Sequence, residues 1–263
     1  MKIRLLLMTL AVMAATSAAT AHNGRRFEIQ IMDDQLVAQG YLSGTNPKDD
    51  GGGILRPYVN ALHDHWSNVS GVAATATLPG FDLNSTGGLF GYDLTLTLTG
   101  SGKWSDPMNN VDGDGHMGHG GMPVLSPLDA SETIFIGFGN QTSIDTGVLS
   151  NPNAPNSFLI AETINGPVTD IDLDYSILQT PDNMLYYLQW ELSTSAPGIS
   201  ASGPIYTIFS PDKDDPVYSP GGPLHHQALA LESYLGTPAS APEPNAATLL
   251  VLSALGWCSR RKR

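Results

Sequence analysis

Leu94-Thr95-Leu96-Thr97-Leu98-Thr99 sets an apolar residue at every second position with a β-branched hydroxyl residue between. A period of two sends successive side chains to opposite faces of an extended chain, so the leucines read as a buried face and the threonines as a wetter one. Threonine also favours the pleated backbone. Phe27-Glu28-Ile29-Gln30-Ile31 repeats the pattern. Working outward, further strands are expected over 36–42, 72–78, 133–138, 158–164, 171–178, 184–192 and 205–209.

Turn formers separate these runs: Gly51-Gly52-Gly53, 84–88, 151–156, Pro181-Asp182-Asn183 and 219–223. Glycine supplies left-handed backbone, proline fixes φ, and Asn and Asp bond their own backbone. Helical periodicity is confined to 57–66 and to 224–235, where Ala228, Leu231 and Leu235 share one face. Internal repeats of solenoid length are not evident. The expected fold is mostly β: a single β-sandwich-like or open-barrel domain with one or two short helices.

The two ends read differently from the middle. Residues 1–21 have the form of a secretory signal, with Lys2 and Arg4, then an apolar run, then Ala19-Thr20-Ala21 as an A-x-A cleavage site. The expected extracellular β domain then spans 22–237, followed by a small, Pro-rich linker and tail over 238–263. Six of the twelve Lys and Arg lie in the two terminal segments, against one of the 25 Asp and Glu. The stretch 22–241 therefore holds 6 basic and 24 acidic residues, a net charge of −18. Such a surface repels phosphate backbones and anionic lipid headgroups, which argues against nucleic-acid binding. It suits solubility and attracts divalent cations. The one cysteine, Cys258, falls in the tail, so the expected mature body has no disulfide, thiol nucleophile or Cys-type zinc site.

The tail carries Pro242-Glu243-Pro244, thirteen apolar or small residues from Ala246 to Cys258, and then Arg260-Arg261-Lys262-Arg263. As a helix those thirteen residues reach about 20 Å, short of the roughly 30 Å hydrocarbon core. The basic end stays cytoplasmic by the positive-inside tendency. A marginal helix with a cationic stop makes a temporary brake during export. These features resemble the PEP-CTERM sorting signal of Gram-negative and related bacteria. The resemblance implies export by the Sec machinery, transient anchoring in the inner membrane and cleavage near Pro-Glu-Pro by an exosortase, a membrane cysteine protease. It also implies delivery to the cell surface or extracellular matrix, commonly in cells that make exopolysaccharide. Trp257-Cys258-Ser259 departs from the small apolar residues more usual there.

Seven histidines are the main chemical lead. His22 follows the expected cleavage site; its α-amine and ring together would resemble the histidine brace of copper polysaccharide monooxygenases. His63-Asp64-His65 is an H-x-H pair, which on a strand turns both rings to one face toward a common Zn²⁺ or Cu²⁺. Either of the adjacent His225 and His226 is placed to add a third ligand. Asn110-Val111-Asp112-Gly113-Asp114-Gly115 fits the first half of a Ca²⁺ loop, but the twelfth position, Gly121, lacks the bidentate Glu. His116-Met117-Gly118-His119 adds imidazole and thioether, a donor set that favours copper.

Catalytic motifs are missing: there is no G-x-S-x-G elbow, no H-E-x-x-H and no Gly-rich phosphate loop. The leading expectation is thus a non-enzymatic structural or binding protein of the cell surface or matrix. The alternatives are a secreted Zn- or Cu-binding protein and a polysaccharide-active enzyme.

Overall fold

The computed structural model describes residues 24–43, 60–70, 73–77, 79–83, 89, 91–105, 107, 123–139, 141, 143–151, 153–161, 170–178, 184–211 and 223–236. These form fifteen strands, one α-helix and a 3-10 turn. The order is β1 (Gly24–Met32), β2 (Gln35–Ser43), β3 (Ala61–His65), β4 (Ser67–Ser70), β5 (Ala73–Ala76), β6 (Gly80–Asp82), β7 (Leu94–Ser105) and β8 (Leu125–Ser126). There follow β9 (Ile134–Gly137), β10 (Ile144–Asp145), the 3-10 turn (Thr146–Ser150), β11 (Ser157–Ala161), β12 (Asp170–Ile171), β13 (Asp174–Ile177), β14 (Met184–Thr194), β15 (Ile205–Ser210) and helix α1 (Pro223–Leu235). The fold is mostly β, as the alternating runs predict.

Three open sheets result, and no barrel closes among the described residues. Their orders are β12-β6-β1-β2, β10-β9-β13-β5-β4 and β11-β7-β14-β15-β3, with β8 added to β7. The β1–β2 hairpin turns at Asp33 and Asp34, both left-handed with φ of 49° and 59°. Asp tolerates that region, and two such residues make the tight turn whose twist suits a hairpin.

All three sheets feed one apolar core. Phe27, Ile29 and Phe81 come from the first sheet, Ile134, Ile136, Tyr175 and Ile177 from the second, and Leu94, Leu96, Leu98, Leu188, Trp190, Leu192 and Phe209 from the third. Ring contacts join them: Phe27 stacks on Phe81 with centroids 5.6 Å apart, Trp66 on Phe209 at 4.6 Å, and Tyr175 tilts against Phe209 at 4.7 Å. Each such side chain, fully buried, contributes about 1.5–3 kcal/mol.

The central pair β7–β14 carries a register shift. Trp190 faces Leu98 and Gln189 faces Gly100, so Thr99 is an extra residue on β7. Such a bulge reverses the alternation downstream. Before it, Leu94, Leu96 and Leu98 face the shared core. After it, Trp104 faces the other way, joining Ala61, Leu185 and Ile208 under Ala228 and Leu231 of α1. Helix α1 therefore lies on the outer face of the six-stranded sheet, over its β3–β15 side.

Two expectations need correction. The run 57–66 is not helical where it is described: 61–65 is strand β3, parallel to β15. The run 171–178 is not one strand, because Asp172 and Leu173 part β12 from β13, which belong to different sheets.

Candidate functional site

The outer face of the six-stranded sheet holds His63, His65 and a group of tyrosines. Its covered half is built around His63. Strand β3 is an edge, pairing β15 on one side only. The backbone N–H of His63 donates to Glu232 Oε1 at 2.6 Å, and His63 Nδ1 lies 2.5 Å from the same oxygen. One carboxylate thus caps an edge-strand donor and fixes the imidazole, with the proton assigned to Nδ1. His225 is seven residues before Glu232, on the same helix face, and its ring meets that of His63 edge-on at 5.4 Å. His63 is 0% and Glu232 2% exposed.

A carboxylate-oriented imidazole is the base half of many nucleophilic sites. Here the pair is enclosed between helix and strand, where a substrate has no approach. Its evident work is to fasten α1 to the edge of the sheet. His65 shares the face of His63, as an H-x-H pair on a strand must. Its ring turns back instead to Asp64, with Nδ1 and Oδ1 2.8 Å apart. Among the described residues no group of three or more His, Cys, Asp or Glu is arranged to hold a metal ion.

Two other buried ionic groups join parts of the fold. Lys103 Nζ donates to Asp129 Oδ2 at 2.7 Å and to Glu132 Oε2 at 2.5 Å, tying the loop before β9 to the sheet. Tyr186 donates to Glu132 Oε1 at 3.4 Å. Burial alone pushes the Lys103 ammonium toward neutrality, but the hydrogen bonds and charges of Asp129 and Glu132 outweigh it and raise its pKa above 10.5. The amine is therefore held as a cation, unsuited to act as base or nucleophile. Arg26 and Asp172 form a two-pronged pair, Nη1–Oδ1 2.9 Å and Nη2–Oδ2 3.2 Å, between β1 and the segment after β12.

The open half of the outer face is aromatic and polar. In register, Gly102 lies opposite Tyr187 and Gly100 opposite Gln189, while Gln189 lies opposite Tyr206. The Tyr187 ring reaches over Gly102, so a Cβ there would stand 2.5–2.8 Å from its hydroxyl and ring edge. Gln189 covers Gly100 in the same way, with Cβ and Oε1 at 3.3 and 3.4 Å. Tyr206 meets Tyr187 edge-on at 6.3 Å. Tyr234 of α1 stands close by, 46% exposed. Burial, then the neighbouring Tyr206 and Tyr234, raise the pKa of the Tyr187 hydroxyl, and burial raises that of Tyr206. Both stay neutral over the physiological range.

Sequence reasoning singled out His63 and His65 as metal ligands but did not single out Glu232, Tyr187, Tyr206 or Tyr234; the structure sets Glu232 and Asp64 beside the two histidine rings. The glycines 100 and 102 inside a strand were the available signal, since glycine there marks a close approach. His22, Asn110, Asp112, Asp114, His116 and His119 lie outside the described residues, as do Pro242, Glu243, Pro244, Arg260, Arg261, Lys262 and Arg263. Compared with known proteins, the chain matches no family model, no curated protein and no solved structure, so its residues and their geometry carry the functional reading.

Proposed function

We propose that this chain is an exported protein of the cell surface or extracellular matrix, processed at a PEP-CTERM tail and serving a non-enzymatic structural or binding role. The observation that carries the reading is the ordered tail: Pro242-Glu243-Pro244, a thirteen-residue apolar stretch, and Arg260-Arg261-Lys262-Arg263 at the end. Its partners are the Sec machinery and an exosortase. The delivered body is a β-sandwich-like domain, and the common core of its sheets supports treating it as one unit. No helix among the described residues is long and apolar enough to cross a membrane.

The test is expression in a Gram-negative host with and without an exosortase. With it, the surface or secreted protein should lose the mass of the segment after Pro-Glu-Pro, and Glu243→Ala should keep that mass and stay with the membrane fraction. Release of an intact tail, or identical processing in both hosts, overturns the reading.

A further inference from the structure

We infer that the open half of the outer sheet face is a binding surface for a neutral polysaccharide chain, with Tyr187, Tyr206 and Tyr234 as stacking rings and Gln189 as a hydrogen-bonding group beside them. The inference names the partner class of the surface-and-matrix role proposed above, and rests on that role for its biological setting.

The polar tips of these four residues separate them from the other tyrosines described at these strands. The hydroxyl of Tyr175 donates to Pro79 O at 3.5 Å, and that of Tyr186 to Glu132. No protein hydrogen bond is formed by the hydroxyls of Tyr187, Tyr206 or Tyr234, or by the side-chain amide of Gln189, among the described residues. Half-buried rings are rigid, cost little conformational entropy to use, and carry an apolar body with a polar end. A sugar presents the matching pattern: axial C–H groups to stack on a ring, and equatorial hydroxyls to meet Tyr and Gln tips.

The floor beneath Gln189 and Tyr187 is bare of side chains. Gly100 and Gly102 leave room for Gln189 and Tyr187 to lie down on the sheet. Beyond the bulge the face continues through Thr95, Thr97 and Thr99 of β7, with Ser193 and Glu191 of β14 opposite the first two. This gives a strip of hydroxyls in line with the rings, suited to an extended chain. The charge pattern selects among polymers. Among the described residues of this strip Glu191 alone is ionic, the three phenols are neutral, and the surrounding stretch 22–241 has 24 acidic against 6 basic residues. A polyanion is repelled from such a surface, and a neutral glycan is not.

Native affinity electrophoresis of the purified full-length chain tests this, with hydroxyethylcellulose or dextran as neutral probes and alginate as the anionic one. Retardation by at least one neutral glucan and none by alginate is expected. Tyr187→Ala with Tyr206→Ala should weaken binding about tenfold or more. Because that double variant can also loosen the face, Gln189→Ala is run beside it; it should keep the wild-type Tm and bind about threefold more weakly. No retardation by either neutral polymer, equal retardation by alginate, or unchanged binding in both variants overturns the inference. Failure here leaves tail processing standing, and failure of tail processing leaves glycan retardation to be scored separately.

Discussion

The two faces of the six-stranded sheet are made by the same strands and obey different rules. The inner face is apolar along its middle, with Lys103 and its carboxylate partners at one end. Leu94, Leu96, Leu98, Leu188, Trp190, Leu192 and Phe209 are all fully buried, and a polar atom of that set, Trp190 Nε1, is satisfied by Thr207 Oγ1 at 3.1 Å. The outer face is divided. One half is closed by α1 around the His63–Glu232 pair, and the other is left open over two glycines. An inner face needs only the right residue class at every second position. An outer face depends on which particular residue stands across the ladder, and β7 reaches its outer partners only because Thr99 shifts the alternation.

The sharpest way to break this comparison is to delete Thr99. Without the extra residue Lys103 turns to the helix side and Trp104 to the inner core. The variant should lose more than about 4 kcal/mol and show no cooperative urea transition by Trp fluorescence. Thr99→Ala keeps the bulge, removes the bond from Thr99 Oγ1 to Gln189 O, and should lose less than about 1 kcal/mol. Wild-type unfolding of the deletion would show that the bulge does not assign the faces.

A smaller effect is expected on the covered half. Glu232→Ala strips the acceptor from two buried donors of His63 and should cost about 3 kcal/mol. Hydrogen exchange locates the loss. The amides of α1 and β3 should exchange faster, while those of Leu188 and Trp190 keep their protection. Uniform acceleration across the sheet would mean that the pair supports the whole fold rather than the helix.

The smallest effect is an alkaline one. Lys103 has its folded pKa raised above 10.5, so its stabilisation is complete below about that pH and is lost as pH rises through the folded value. Tyr175, wholly inside the core, has its pKa raised mainly by burial and also by Asp172, from an ordinary value of 10.0. Its neutral form is favoured by folding, so stability falls once the unfolded chain begins to ionise above that value. The urea midpoint should decline between about pH 9 and pH 11, and less steeply in Tyr175→Phe. An equal slope in that variant would place the alkaline loss on Lys103 or on the half-buried phenols of the outer face instead.

The sequence was readable where one face alone is buried. Leucine and threonine alternate through the first half of β7, and β14 shows the same contrast from Leu188 to Leu192. The α1 face of Ala228, Leu231 and Leu235 was equally plain. Strand β3 was not, because Ala61, Leu62, His63 and Asp64 are all buried, two against α1 and two toward the core. A strand covered on both sides has no period-two contrast to read. The candidate site was half legible for a related reason. H-x-H spacing put His63 and His65 on one strand face, but the partner of His63 lies 169 residues later, a distance no local pattern spans. The tyrosine face likewise exists only once Gly102 is set opposite Tyr187.

The parallel pairing of β3 with β15, sealed by Glu232, sets a timetable. For a chain that leaves the cytoplasm N-terminus first, Ala61–His65 emerges early and waits as an unpaired edge until Ile205–Ser210 arrives. The clasp closes only when Glu232 is also outside, and closing so long a loop is slow. By then little more than the proposed sorting tail, 238–263, would remain behind. If the proposed tail acts as a brake on the last residues, it would hold the chain at the moment β15 and α1 dock, and the proposed cut would fall on a body that has had time to finish folding.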